Sequence, residues 1–163
     1  MRKILIFFFI TIFLFCQNKI AFAQINNSII ITVGDNPITK IDLLKEIKLI
    51  AILSNTQIDT KNREQIKGLA IKSLIKRNIK EVEIKKRNIS QYNRNQLKAI
   101  LKNTSMKLGL EVSGLKEILE RNNLSYENLE DRFKTDLKWN FMIFQIYKNK
   151  ISLNTAEVED KIK

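Results

Sequence analysis

No histidine occurs in the 163 residues, and there are one cysteine, one proline and four glycines. The missing histidine removes imidazole as a general base, a triad member and a metal ligand at once. The one cysteine, Cys16, lies in the apolar opening segment. Without that segment the chain has no disulfide and no thiol chemistry. So little glycine and proline weighs against a sheet-rich fold, which needs turn residues often, and favours long helices. The glycines stand apart from one another, so there is no phosphate-binding loop. The acidic residues fall in groups such as Glu81/Glu83, Glu130/Asp131 and Glu157/Glu159/Asp160. Residues one or two apart on a helix do not face each other, so these groups read as solvated surface rather than acid–base pairs or a metal site. Several serines and threonines sit at expected helix starts (Thr39, Thr60, Ser90, Ser113, Ser125, Thr155), and none has a histidine base to activate it. No catalytic residue, metal or cofactor is therefore expected.

What is present begins with an export pattern. Arg2 and Lys3 make a positive start, Ile4 to Cys16 is apolar apart from Thr11, and Ala21-Phe22-Ala23 precedes Gln24. That order is the one a signal peptidase reads, with cleavage after Ala23. The apolar run falls short of the ~20 residues that span a bilayer. Uncleaved anchoring and lipidation at Cys16 are the alternatives. Phe15 is bulky where a lipoprotein signal carries a small residue. Residues 1–23 thus read as a signal peptide and 24–163 as one domain, large enough for a real core.

Lys and Arg outnumber Asp and Glu by 29 to 17, a net charge of +12. Loss of the leader removes only Arg2, Lys3 and Lys19 from that excess. The balance favours anionic partners in general. The positive charges are nevertheless spread over every helical segment rather than gathered in one patch, as in a chain that is simply rich in Lys, Asn and Ile.

Along the domain, Ile29 to Val33 (IIITV) is β-branched and short, as a buried strand should be. Gly34-Asp35-Asn36-Pro37 is a turn, and Pro37-Ile38-Thr39 returns as a second strand. Thr39 with Asp42 resembles a capping box. The helix it opens carries Ile41, Leu44, Ile47, Leu49 and Ile52 and runs to Leu53. Asp59-Thr60 caps a helix over residues 61–86, with Ile66, Leu69, Ala70, Leu74 and Val82 near one face and Gly68 as a weak point. Ser90 is the next start. The third helix carries Leu97, Ile100, Leu101 and Leu108 and ends at Gly109. Ser113 opens a short helix with Leu115, Ile118 and Leu119, closed by Asn122-Asn123. Ser125 opens the clearest helix, with Tyr126, Leu129, Phe133, Leu137, Phe141, Phe144, Tyr147 and Ile151 in one stripe. Asn154 with Glu157 starts a last helix. The fold class is mainly α: a short N-terminal β-hairpin followed by a bundle of about five helices.

The aromatic cluster late in the chain is the most suggestive feature. Phe133, Phe141, Phe144 and Tyr147 read as core, unless a groove in the bundle exposes some of them to apolar polypeptide segments. Trp139 lies about 200° around the helix from Phe141 at ~100° per residue, so both cannot face one core. Met142 falls near Trp139's side and could share that surface. The candidate substrate-binding set is therefore Phe133, Trp139, Phe141, Met142, Phe144 and Tyr147.

Three stretches, IIITVGDNPITKIDLLKEIKLI, REQIKGLAIKSLIKRNIKEVEIKKRNIS and NNLSYENLEDRFKTDLKWNFMIFQIYKNKISLNTAEVEDKIK, follow one another in an order that resembles the N-terminal chaperone domain of SurA-type periplasmic proteins. The likeness covers nearly all of residues 25–163. It implies a periplasmic, ATP-independent holdase that binds unfolded outer-membrane protein segments. In that family, parvulin-type prolyl isomerase modules and a completing C-terminal helix follow the domain. The sequence stops where the first module would begin, so the resemblance does not carry over isomerase activity. Three arrangements fit. Another chain, either isomerase-bearing or a second copy, supplies the missing packing; or the domain acts alone; or the sequence is a fragment of a longer isomerase. A basic membrane-surface or nucleic-acid binder is the remaining alternative, and with an export signal no nucleic acid is expected.

Overall fold

The computed structural model describes residues 28–148. The signal residues Ala21, Ala23 and Gln24, Cys16, Ile151 and the Asn154/Glu157 helix start lie outside the described residues. The described chain is a two-stranded antiparallel hairpin, β1 (Ile29–Val33) and β2 (Asn36–Thr39), followed by five helices. These are α1 (Lys40–Leu53), α2 (Arg63–Lys86), α3 (Arg94–Lys107), α4 (Val112–Arg121) and α5 (Tyr126–Tyr147). The mainly helical class and the leading hairpin agree with the sequence. No helix among the described residues is long and apolar enough to cross a membrane.

Gly34 takes φ +58° at the first position of the hairpin turn, a conformation that suits glycine. Ile31 pairs with Ile38 and Val33 with Asn36, and the register shifts between Ile29 and Ile31. The expected buried strand is only half realised. Ile31 and Val33 pack toward the core beside Ile38, while Ile29 and Ile30 are exposed. A two-stranded sheet has one face to bury, and the register shift turns its first residues away from it.

The Thr39 capping box is complete. The Asp42 amide donates to Thr39 Oγ1 (3.2 Å), and the Thr39 amide donates to Asp42 Oδ2 (2.9 Å). On α1 the buried positions are Leu43, Glu46 and Ala51, whereas Leu44 is exposed. On α2 they are Ile66, Ala70, Leu74 and Ile84. Leu69 and Val82, expected on that face, are instead exposed and lie outside the cluster that Ala70 and Leu74 form with the hairpin and α1. Asp59 accepts from the amides of Lys61 and Asn62, so its turn precedes a helix that begins at Arg63.

Two further expected helix starts move. The cap of α3 is Asn93, whose side chain accepts from the Gln96 amide, rather than Ser90. Tyr92, in the non-helical stretch before that cap, packs on the cluster of Leu97, Leu101 and Leu137. Helix α4 begins at Val112 with no side-chain cap, so Ser113 lies inside it. Ser125 caps α5 as expected.

The helix ends share one device. Asn55, Asn88, Gly109 and Asn123 adopt φ between +50° and +69° just past α1, α2, α3 and α4. In each case the next amide reaches back to a carbonyl five residues earlier: Thr56 to Ala51, Ile89 to Ile84, Leu110 to Ser105 and Leu124 to Leu119. These are Schellman closures, three of them made with asparagine, the residue after glycine that best tolerates this conformation. The glycine-poor sequence therefore still contains tight reversals.

Three apolar clusters make the core. The hairpin, α1 and α2 meet at Ile38, Leu43, Ala70 and Leu74. Leu115, Leu119, Leu124 and Leu129 join α4 to α5, and Leu97, Leu101 and Leu137 join α3 to α5. Helix α5 is thus packed on one side against α3 and α4, and α2 packs against it as well.

Candidate functional site

Where α1, α2 and α5 meet, the interior is charged. Glu46 is 3% exposed, a cost that only paired charge offsets. Its Oε1 accepts from Arg132 Nη1 at 2.7 Å and its Oε2 from Arg77 Nη1 at 3.3 Å; Arg132 Nη2 also donates to Ser73 Oγ at 3.0 Å. The cluster borders a cavity of about 440 Å³ that also touches Asp42, Lys45, Glu81 and Asp131. The carboxylate is already engaged by two guanidinium groups, so the arrangement works as a clamp between three helices.

Glu81 and Asp131, read from the sequence as members of separate surface pairs, border this same cavity from α2 and α5. Burial pushes the Glu81 carboxyl above its ordinary value, Arg77 opposes that, and the charge of Asp131 adds to it. Glu81 thus responds to Asp131 across the helix packing, a relation that neighbour spacing along one helix does not reveal. No group of three or more Cys, Asp or Glu side chains is placed to hold a metal among the described residues.

The second candidate is the late half of α5. Phe133 is half-buried and touches both clusters on the α3–α4 side. Trp139 and Phe141 are half-buried. Met142, expected on an exposed surface with Trp139, is 3% exposed and belongs to the interior. Phe144 and Tyr147, expected in the core, are 61% and 47% exposed. The reason is geometric. Phe144 and Tyr147 fall within about 20° of Leu137 and Leu129 around the helix, on the same stripe. The α3–α4 clusters end at Leu137, so that stripe loses its cover while the helix continues. The buried direction turns by about 140°, from Leu137 to Met142.

Trp139 borders a smaller groove of about 280 Å³ with Ile75 and Ile79 of α2, edged by Lys72, Lys76 and Lys80. Lys80 is ion-paired with Asp136 of α5. The candidate residues thus divide: Phe133 and Met142 pack the helix, Phe141 and Phe144 sit toward the open stripe, and Trp139 faces the α2 groove. The α2 side of that groove was missed in the sequence. Its signal was the run Lys72, Ile75, Lys76, Ile79, Lys80, with basic and apolar residues interleaved at helical spacing.

No protein-family model, curated protein or solved structure matches this chain.

Proposed function

We propose that the chain is a periplasmic, ATP-independent holdase, exported with loss of residues 1–23, that binds unfolded outer-membrane protein segments on an apolar surface. One observation carries the reading. The stripe that forms the core at Leu129 and Leu137 continues along α5 into the open as Phe144, while Met142 on the opposite side of the helix is buried. A large aromatic residue left uncovered on a helix is what binding extended apolar chain requires, and it needs no reactive group. The likeness to SurA-type chaperone domains agrees with this and rests on the three sequence stretches alone.

The test is light scattering from an unfolded outer-membrane barrel protein diluted out of denaturant. The purified chain at stoichiometric excess should suppress aggregation, and Phe141→Ser/Phe144→Ser should weaken that suppression severalfold. Undiminished aggregation in the presence of the native chain would remove the proposal.

A further inference from the structure

We infer that the groove beside Trp139 receives a large apolar side chain from an acidic polypeptide segment; this rests on the holdase reading and names the class of segment preferred. The floor is apolar: Ile75 and Trp139 are half-buried and Ile79 is exposed. The rim is basic, but its three lysines are not equivalent. Lys80 is neutralised by Asp136. Lys72 and Lys76 are exposed, and neither has an ion pair or hydrogen bond among the described residues. They stand one turn apart on the same side of α2, about 6 Å along the helix axis.

An extended segment matches that rim. Side chains two residues apart share one face of an extended chain and are separated by about 6.6 Å. An apolar residue with carboxylates two and four positions further on therefore presents all three groups to the groove and its two unpaired ammonium groups. An acidic segment also removes the cost of covering those cations, which a neutral or basic one leaves in place. Ile75 and Trp139 are half-buried beside the lysines rather than projecting, whereas insertion into a bilayer calls for apolar side chains that project. The shape therefore favours a polypeptide over a lipid surface.

Trp139 is the only tryptophan in the chain, so its emission reports the groove directly. The purified chain is titrated with a tryptophan-free seven-residue peptide carrying one Phe followed at alternate positions by two glutamates. The same peptide with lysines for the glutamates, and phosphatidylglycerol vesicles, are titrated in parallel. The acidic peptide should give a saturable blue shift. The lysine peptide should bind weaker by roughly two- to tenfold, the scale of two exposed ion pairs, and Lys72→Gln/Lys76→Gln should lose most of that difference. Both lysines are exposed and unpaired, so the double variant should keep the native helical circular dichroism. Equal affinity for the two peptides, an unchanged preference in the double variant, or a shift with vesicles alone would overturn the inference. The aggregation assay separates the two failures. Suppression without the charge preference retires the groove and leaves the holdase standing; the preference without suppression retires the holdase and keeps the groove as a peptide site.

Discussion

Replacing Glu46 by glutamine removes the one negative charge shared by two guanidinium groups inside the helix packing. Glu46 is 3% exposed, while the Arg132 and Arg77 side chains keep 22% and 28%. Stripping one partner from a fully buried pair costs about 3–5 kcal/mol. Here both arginines reach water and keep other contacts, Arg132 with Ser73 at 3.0 Å and Arg77 with Glu81 at 3.9 Å. The expected loss for Glu46→Gln is therefore about 2–3 kcal/mol. For a domain of this size each kcal/mol moves Tm by about 4 °C, so the drop should be about 8–12 °C by circular dichroism at neutral pH. Arg132→Gln should destabilise as well, and the double variant should recover about 1–2 kcal/mol relative to the sum of the two. Raising salt to about 0.5 M should leave the penalty nearly intact, because a buried pair is poorly screened. A Tm for Glu46→Gln within about 2 °C of the native value, or strict additivity with Arg132→Gln, would show that the cluster does not clamp the three helices.

Four further outcomes are expected. A Cβ at Gly68 meets nothing within 4 Å, so Gly68→Ala should raise stability by about 1 kcal/mol in chemical denaturation; a loss would mean that α2 is covered there. Asn88 holds φ +53°, so Asn88→Ala should cost about 1 kcal/mol while Asn88→Gly should cost nothing, a contrast readable from the denaturation midpoints. Glu81, with its carboxyl raised in the fold, contributes stability below its ordinary value of 4.5 that is lost as pH climbs through the folded value. Glu81→Gln should therefore gain in Tm over the native chain between about pH 4 and pH 7, and a flat or reversed difference would contradict that sign. Met142→Ala should cost about 2 kcal/mol or more as a core truncation, whereas Phe144→Ser should stay within about 0.5 kcal/mol of native.

Local signals in the sequence translated well. The Thr39–Asp42 box, the Ser125 cap and the Gly109 ending are set by residues three or four apart, and all three form. The misplaced starts have tertiary causes. Ser90 is a good cap in isolation, but the residues after it stay non-helical up to Asn93, and Tyr92 among them packs on the Leu97, Leu101 and Leu137 cluster. The asparagine ending at Asn122-Asn123 was legible, as was the break of the helical pattern from Asn88, whereas Asn55 looks like an ordinary polar residue until its φ is known.

The site was legible in outline and not in detail. The stripe from Leu129 to Tyr147 is plain from spacing, but where its cover ends depends on how far α3 and α4 extend alongside α5. That reverses the expected places of Met142 and Phe144. Glu46 could not be found from periodicity, because a carboxylate on an inner face is tolerated only with partners, and these lie 31 and 86 residues away in the sequence.

The most direct measurement is photo-crosslinking to an unfolded outer-membrane protein from a photoreactive phenylalanine analogue placed at position 144, compared with the same analogue at Lys107 at the end of α3. Adducts concentrated at position 144 are the expected result. Equal labelling at both positions, or none at 144, would contradict the claim that the uncovered end of α5 holds other chains.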